Sequence, residues 1–318
     1  MKNDALNAIA SPAADAAQPT LFTPRVLVPL ALLAVYLLWG STYLAIRVAL
    51  VGYPPFFMAA IRFIVAGGLM LSVLRWRGFA MPTKRQWINC GICGTLLLGF
   101  GNGLVCYAEQ TVASGLAAVA VASMPLFAAV FAGFYRQWPN RIEWIGLLVG
   151  FAGVVVLNFG GELRASPLGA LALVTAASSW AFGSVWARRQ DMPHPAVSTA
   201  AQMLCGAVVL LFAGWVGGER FTAMPSLDAT LALGYLVVAG SLLGFSAYIY
   251  LLHHVRPALA TSYAYINPPV AVLVGVLLAG ETVRALDIVG MIVILAGVVA
   301  ITLAKTAPAK SASTQTTR

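Results

Sequence analysis

Residues 26–46 read VLVPLALLAVYLLWGSTYLAI, a run of 21 residues without one charged side chain. The hydrocarbon core of a bilayer is about 30 Å thick, which an α-helix crosses in roughly 20 residues. The run therefore predicts a transmembrane helix. Because it is longer than the apolar core of a signal peptide and no convincing small-residue cleavage site accompanies it, we expect the helix to be retained.

The rest of the chain repeats this pattern. Its 318 residues are 60% hydrophobic and only 9% charged, against roughly 45–50% and about 25% in soluble domains, which excludes a water-soluble fold. Since lipid cannot hydrogen-bond the backbone, the spans should be helical. Ten are predicted, at residues 26–46, 55–74, 87–108, 113–135, 142–159, 168–187, 196–217, 229–252, 259–279 and 285–304.

The basic residues give the orientation. Of nineteen Lys and Arg, fourteen fall on the side of the amino terminus and four on the other, with Arg62 inside a span. The positive-inside rule then places both termini in the cytoplasm, which favours an even number of spans. The net charge of +9 thus reports topology and not nucleic-acid binding. The tails, residues 1–24 and 306–318, are too polar to order themselves, so we expect both to be disordered.

A weak internal repeat divides the membrane region into residues 25–159 and 160–305. A shift of 141 residues aligns Trp39 with Trp180 and Arg47 with Arg188. Shifts of 140 to 144 then align, in chain order, Pro55 with Pro195, Arg62 with Gln202, Gly101 with Gly244, Tyr107 with Tyr250, Pro125 with Pro268, Gly146 with Gly290 and Gly153 with Gly297. Five spans per copy is an odd number, so the second copy must enter the membrane inverted. Such repeats are typical of transporters that expose a midplane site to each side in turn, although a duplication kept only for packing is the alternative.

Three prolines interrupt predicted spans at matching repeat positions. Pro125 lies in the fourth span, and Pro268 and Pro269 lie in the ninth. Each removes a helical donor and frees the carbonyl four residues earlier. A single proline would indicate a tolerated kink, whereas the matched set favours hinges that serve gating.

Arg62 is the only basic residue well inside a span, about 10 Å from Pro55 along the helix. Its burial costs roughly 2.5–3.5 kcal/mol on insertion scales, so its side chain should face protein or water. It could hold a substrate carboxylate, or serve structure by pairing with Glu109. Gln202 is its uncharged counterpart in the second copy.

Aromatic and amide side chains deep in the spans or at repeat positions complete the predicted binding site. Rings offer apolar faces that attract cations, and amides add directional hydrogen bonds. Together with Arg62 and Gln202, the candidates are Trp39, Asn102, Tyr107, Trp180, Tyr250, Tyr265 and Asn267. The competing interpretation of such residues is an interfacial belt or helix packing.

Residue types needed for other chemistry are missing from the span centres. No Asp or Glu lies there, and the three histidines fall in or beside loops, which argues against a carboxylate proton relay and an intramembrane enzyme. The four cysteines lie in apolar runs without metal-site spacing. We expect no cofactor and no metal. Facilitation, exchange and coupling through an interfacial residue stay open, as does whether the Gly146–Gly150 pair packs within a monomer or across a homodimer.

Five stretches resemble the EamA-type drug/metabolite transporters, and among them the YedA-like exporters. They are Trp39-GSTYLAI-Arg47, Pro54-PFFMAAI-Arg62, Glu143-WI-Gly146, Ser179-WAFG-Ser184 and Leu259-ATSYAYIN-Pro268. The resemblance implies a bacterial inner-membrane exporter of small metabolites such as amino acids. Within the superfamily, similar patterns handle other solutes, so cationic drugs or nucleobases are alternatives. A non-transporting scaffold or enzyme is the third.

Overall fold

The computed structural model describes residues 24–111, 120–157, 167–221, 223–279 and 285–304. Within these ranges the chain is helical and contains no strand. The helices are α1 Pro24–Leu50, α2 Pro55–Trp76, α3 Lys84–Ala108, α4 Met124–Phe134, α5 Arg141–Leu157, α6 Pro167–Ala187, α7 Pro195–Val216, α8 Leu227–His254, α9 Tyr263–Ala279 and α10 Ala285–Leu303. A single helical turn, Pro257–Ala260, precedes α9.

Helix ends follow local sequence signals. Proline opens α2 and α7, where its missing N–H costs nothing. Thr83 caps α3 through a capping box with Gln86. Beyond the ends of α2 and α7, Gly78 and Gly218 have φ values of +82° and +71°, a backbone region that glycine enters without strain.

Six helices are long and apolar enough to cross a membrane: α1, α2, α3, α6, α7 and α8. The others are shorter within the described ranges. Large apolar side chains are exposed around the bundle, including Leu69 (56%), Phe212 (63%) and Leu295 (51%). Such a surface suits lipid and not water. The described part of the chain is therefore all-helical, as in a polytopic membrane protein, and its helices overlap the predicted spans. The predicted tails, apart from Pro24, residues 113–119 of the fourth span and residues 158–159 of the fifth span lie outside the described residues.

Two helices contain π-helical segments that the sequence did not predict. They are Thr95–Asn102 in α3 and Leu236–Phe245 in α8. Both are rich in glycine, and they occupy matching positions of the repeat. Departures from α-helical geometry inside a helix frequently mark functional sites.

The contact between α5 and α10 is reciprocal. A Cβ added to Gly146 would meet the carbonyl oxygen of Gly297 at 2.8 Å, and one added to Gly153 would meet that of Gly290 at 3.1 Å. The two helices are therefore antiparallel. In the repeat, Gly146 aligns with Gly290 and Gly153 aligns with Gly297. Gly146 therefore contacts the counterpart of Gly153, and Gly153 contacts the counterpart of Gly146. This is the pattern of an isologous two-fold contact. The Gly146–Gly150 pair thus packs inside the chain, where Gly150 faces Tyr265.

The prolines occupy different helical contexts. Pro125 lies in the first turn of α4, after an interruption at Ser123. Pro268 and Pro269 instead lie inside a continuous α9, and the interruption there is the turn at Thr261 and Ser262 that precedes it. The helix α9 thus accommodates both prolines without ending, and the hinge role of the three prolines stays a prediction.

Candidate functional site

The two tryptophans of the repeat each pack on a π-helical segment of the other half. A Cβ on Gly244 would clash with Trp39 Nε1, and a Cβ on Gly101 would lie 2.6 Å from Trp180 Cε3. Only glycine lets the rings approach so closely. The indole N–H of Trp39 also donates to the Gly240 carbonyl oxygen at 2.9 Å. Each tryptophan therefore packs on the counterpart of the glycine that receives the other tryptophan. The same reciprocal pattern relates the glycines of α5 and α10.

Five aromatic rings meet where the halves touch: Trp39, Trp180, Phe245, Tyr248 and Tyr263. The Trp39 ring lies edge-on to Trp180 at 5.6 Å and to Tyr263 at 4.6 Å between centroids. Trp180 Nε1 donates to the Tyr248 hydroxyl, which also bonds Ser184. We call these five residues the ring cluster. Because both indole N–H groups have partners within the protein, the tryptophans offer a solute their faces and edges.

Arg62 enters the same region from α2 and is 4% exposed. Its Nε donates to Ser241 Oγ at 2.7 Å, and its guanidinium lies against Gly240, where a Cβ would clash. Its terminal nitrogens have no hydrogen-bond partner among the described residues. The pairing with Glu109 considered from the sequence is not formed, since no ion pair joins these two described residues. The arginine is therefore buried without a carboxylate.

A central cavity of about 80 Å³ lies between the halves and opens onto Arg62 and the ring cluster. Five predicted site residues line it: Trp39, Arg62, Asn102, Trp180 and Asn267. Known ligand sites measure roughly 300–1,000 Å³, so a bound solute requires these side chains to separate. Val121, whose carbonyl Pro125 was predicted to free, also contributes to the lining.

Asn267 gives this cavity an acceptor. It is 3% exposed, and its Oδ1 has no hydrogen-bond partner among the residues that the structure describes. Asn102, on the π-helical segment of α3, is half-buried and accepts only a long contact of 3.7 Å from Cys106 Sγ. The cavity therefore combines a cation, an unpaired acceptor and aromatic faces.

Four other predicted residues lie away from the central cavity: Tyr107, Gln202, Tyr250 and Tyr265. Tyr107 stacks on Phe56 at 5.9 Å beside a separate cavity at the end of the bundle where α2 begins. Tyr250 stacks on His254 at the opposite end. Gln202 is buried and donates to Ser198, and Tyr265 donates to the Leu147 carbonyl oxygen in a packed apolar cluster. Their binding role stays a prediction that this geometry does not support.

Three further residues shape the site although they were not among the predicted binding residues. Ser241, Phe245 and Tyr248 come from the second π-helical segment and the turn after it, and the signal for them is the spacing of Gly240 and Gly244. Groups of three or more His, Cys, Asp or Glu positioned for a metal are absent from the described residues.

Glu219 fixes the start of α2, which carries Arg62. Its two carboxylate oxygens accept the backbone N–H groups of Phe56 and Phe57, each at 2.9 Å. An acid at a helix N-terminus is favoured by the unpaired donors and the helix dipole. Because Glu219 follows α7, this contact ties the second half to the first at the end predicted to face outward.

Comparison with known proteins agrees with this architecture. The profile of the EamA-like transporter family matches residues 27–159 and 167–303. The uncharacterized inner membrane transporter YedA of Escherichia coli strain K12 is 46% identical over 284 residues, covering 88% of this chain and 93% of the relative. The uncharacterized transporter YdfC of Bacillus subtilis is 27% identical over 265 residues, covering 82% and 86%.

One solved crystal structure superimposes with a TM-score of 0.73 at 21% sequence identity. The match covers 87% of this chain and 97% of the other. At this identity the likeness concerns the fold alone.

Proposed function

Because the chain belongs to the EamA-like transporter family and is thus a membrane transporter, we propose that it exports small amphipathic metabolites of the amino-acid type. The transport path is the central cavity. Ten spans in two inverted five-helix halves would expose this cavity to either side of a bacterial inner membrane, with both termini in the cytoplasm. The reciprocal contacts of Trp39 with Gly244 and of Trp180 with Gly101 support two halves that can exchange conformations.

The proposed substrate class rests on the environment of Arg62. Its guanidinium is buried, lines the cavity and has no carboxylate partner among the described residues. A solute carboxylate would supply that partner through paired, charge-assisted hydrogen bonds. An anionic or zwitterionic solute therefore offsets a desolvation cost that the empty protein bears.

The opposite end of a zwitterion also has candidate partners. A solute ammonium can donate to Asn267 Oδ1, which no described residue satisfies, and can lie over the faces of the ring cluster. Apolar parts of the solute would contact Trp39 and Trp180. A small amino acid satisfies the arginine, the amide and the rings together.

Transport into proteoliposomes tests this function. We expect amino acids to enter these vesicles faster than protein-free vesicles. The amine that corresponds to an amino acid but lacks its carboxylate should compete poorly with that amino acid for transport. If the amine competes as well as its parent amino acid, the substrate is an amphipathic cation, which the five aromatic rings would favour. If no amino acid, cation or nucleobase crosses faster than in empty vesicles, the transport proposal fails for these solute classes, and a scaffold or an enzyme gains support.

The prolines provide a test of gating. Replacing Pro125 and Pro268 together by Ala should lower flux on the order of fivefold, because the helices then favour one conformation by about 1 kcal/mol. Pro29, an exposed proline inside α1, is the matched control, and Pro29→Ala should leave flux unchanged. Normal flux in a folded double variant would refute the hinge.

A further inference from the structure

A third cavity lies at the end of the bundle where the sequence collects its basic residues. It measures about 370 Å³ and lies among the end of α8, the start of α5 and the end of α10. Its titratable lining consists of Glu143, Arg188, His253, His254 and Arg256. Nothing in the transport path uses this cavity, which is separate from the one that Arg62 lines.

The charges in this cavity do not balance. The Glu143 carboxylate already has partners: its Oε2 accepts from Arg256 Nη1 at 2.9 Å and from the backbone N–H of Asn140 at 2.9 Å. Arg188 donates to the Val255 carbonyl oxygen and has no carboxylate partner among the described residues. Burial lowers the pKa of Arg188, and its neighbours Arg189 and Arg256 act in the same direction. The cavity thus holds excess positive charge that an anion would neutralise.

The repeat makes this excess specific to one end. Arg47, the counterpart of Arg188, has an acid nearby: burial raises the pKa of Glu109 to about 7, and the Arg47 charge opposes that rise. Glu109 follows Tyr107 by two residues, so its counterpart after Tyr250 is Leu252. The second copy therefore keeps the arginine and lacks the acid.

The surroundings indicate where the anion comes from. Thr302 and Ala304 of the α10 end line the cavity, while Leu303 beside them is 70% exposed and Val299 one turn earlier is 54% exposed. Exposed apolar side chains at a helix end place the cavity mouth beside lipid. The sequence after Ala304 adds Lys305, Lys310 and Arg318 without an acid. Basic pockets in this position suit the headgroups of anionic lipids.

We propose that this cavity binds the phosphate of an anionic phospholipid headgroup from the membrane leaflet next to it. Arg188 is the main ligand through its guanidinium donors. Arg256 contributes weakly while Glu143 holds it. The histidines at the end of α8, His253 and His254, line the same cavity.

A lipid titration separates the possible anions. Short-chain phosphatidylglycerol, short-chain phosphatidylcholine and inorganic phosphate would each be added to the protein in a neutral detergent, and the unfolding midpoint followed. Phosphatidylglycerol alone should raise the midpoint. An equal response to phosphatidylcholine would overturn the proposal, and an equal response to inorganic phosphate would show a soluble-anion site and overturn the assignment to lipid.

Three variants test the residues. Arg188→Gln should weaken phosphatidylglycerol binding about fivefold or more, and the exposed Arg77→Gln, which removes the same charge outside the cavity, should change nothing. Glu143→Gln releases Arg256 and should strengthen binding, a gain that misfolding cannot imitate. Equal affinities for Arg188→Gln and Arg77→Gln, or no gain with Glu143→Gln, would contradict the proposed site.

Discussion

Arg62→Gln should lower the affinity for amino-acid solutes by roughly 30-fold to 5,000-fold. Removing one partner of a buried, hydrogen-bonded charge pair costs about 2–5 kcal/mol, and the solute carboxylate would be left without its guanidinium. Affinity for the amine that lacks the carboxylate should change little, because that solute never used the arginine. Competition between the two solutes in proteoliposomes measures both values in one preparation.

Two controls separate binding from folding in this experiment. Arg62→Lys keeps the charge but loses the planar fork, so it should retain part of the carboxylate preference. Arg77→Gln removes an exposed arginine just beyond the end of the same helix and should behave like the wild type. Unchanged amino-acid affinity in a folded Arg62→Gln protein would return Arg62 to a structural role, with its Ser241 bond as the function of the side chain.

The sequence predicted the helices well because the membrane imposes one rule on every span. A run such as residues 26–46 has no alternative to a helix of about that length in lipid. It also predicted that Trp39 and Trp180 are paired by the repeat, since matching Trp–Arg spacings are visible in the letters. What each tryptophan touches was not visible, because that depends on how the halves are packed.

The features that the sequence did not indicate have local physical reasons. Tyr265 and Gln202 lie deep in their helices, yet depth does not give the face: Tyr265 points at Gly150 and Leu147, and Gln202 at Ser198. The π-helical segments escaped because glycine spacing does not distinguish a widened turn from close packing. Glu219 lies in a loop and acts on a helix more than 160 positions away in the chain, a relation that no local pattern contains.

The glycines that receive the tryptophans give the second large effect. Gly244→Ala should destabilise the protein by about 1–3 kcal/mol, the usual cost of overpacking, since its methyl group would clash with Trp39 Nε1 and disturb the hydrogen bond to the Gly240 carbonyl oxygen. Gly101→Ala should cost a similar amount through Trp180. The gain of up to about 1 kcal/mol in helix propensity opposes both losses without cancelling them. The unfolding midpoint in detergent measures the change.

Gly234→Ala is the matched control, because it lies in the same helix as Gly244 and a methyl group there meets nothing within 4 Å. It should be neutral or mildly stabilising, and equal midpoints for Gly234→Ala and Gly244→Ala would contradict the close contact. The double variant carries the stronger consequence. The ring centroids of Trp39 and Trp180 lie 5.6 Å apart. The losses in unfolding free energy from Gly101→Ala and Gly244→Ala should therefore deviate from additivity by more than about 0.5 kcal/mol. Additive losses in the free energy of unfolding would mean that the Trp39 and Trp180 contacts are energetically independent. The two halves would then not be coupled through these contacts at the central cavity.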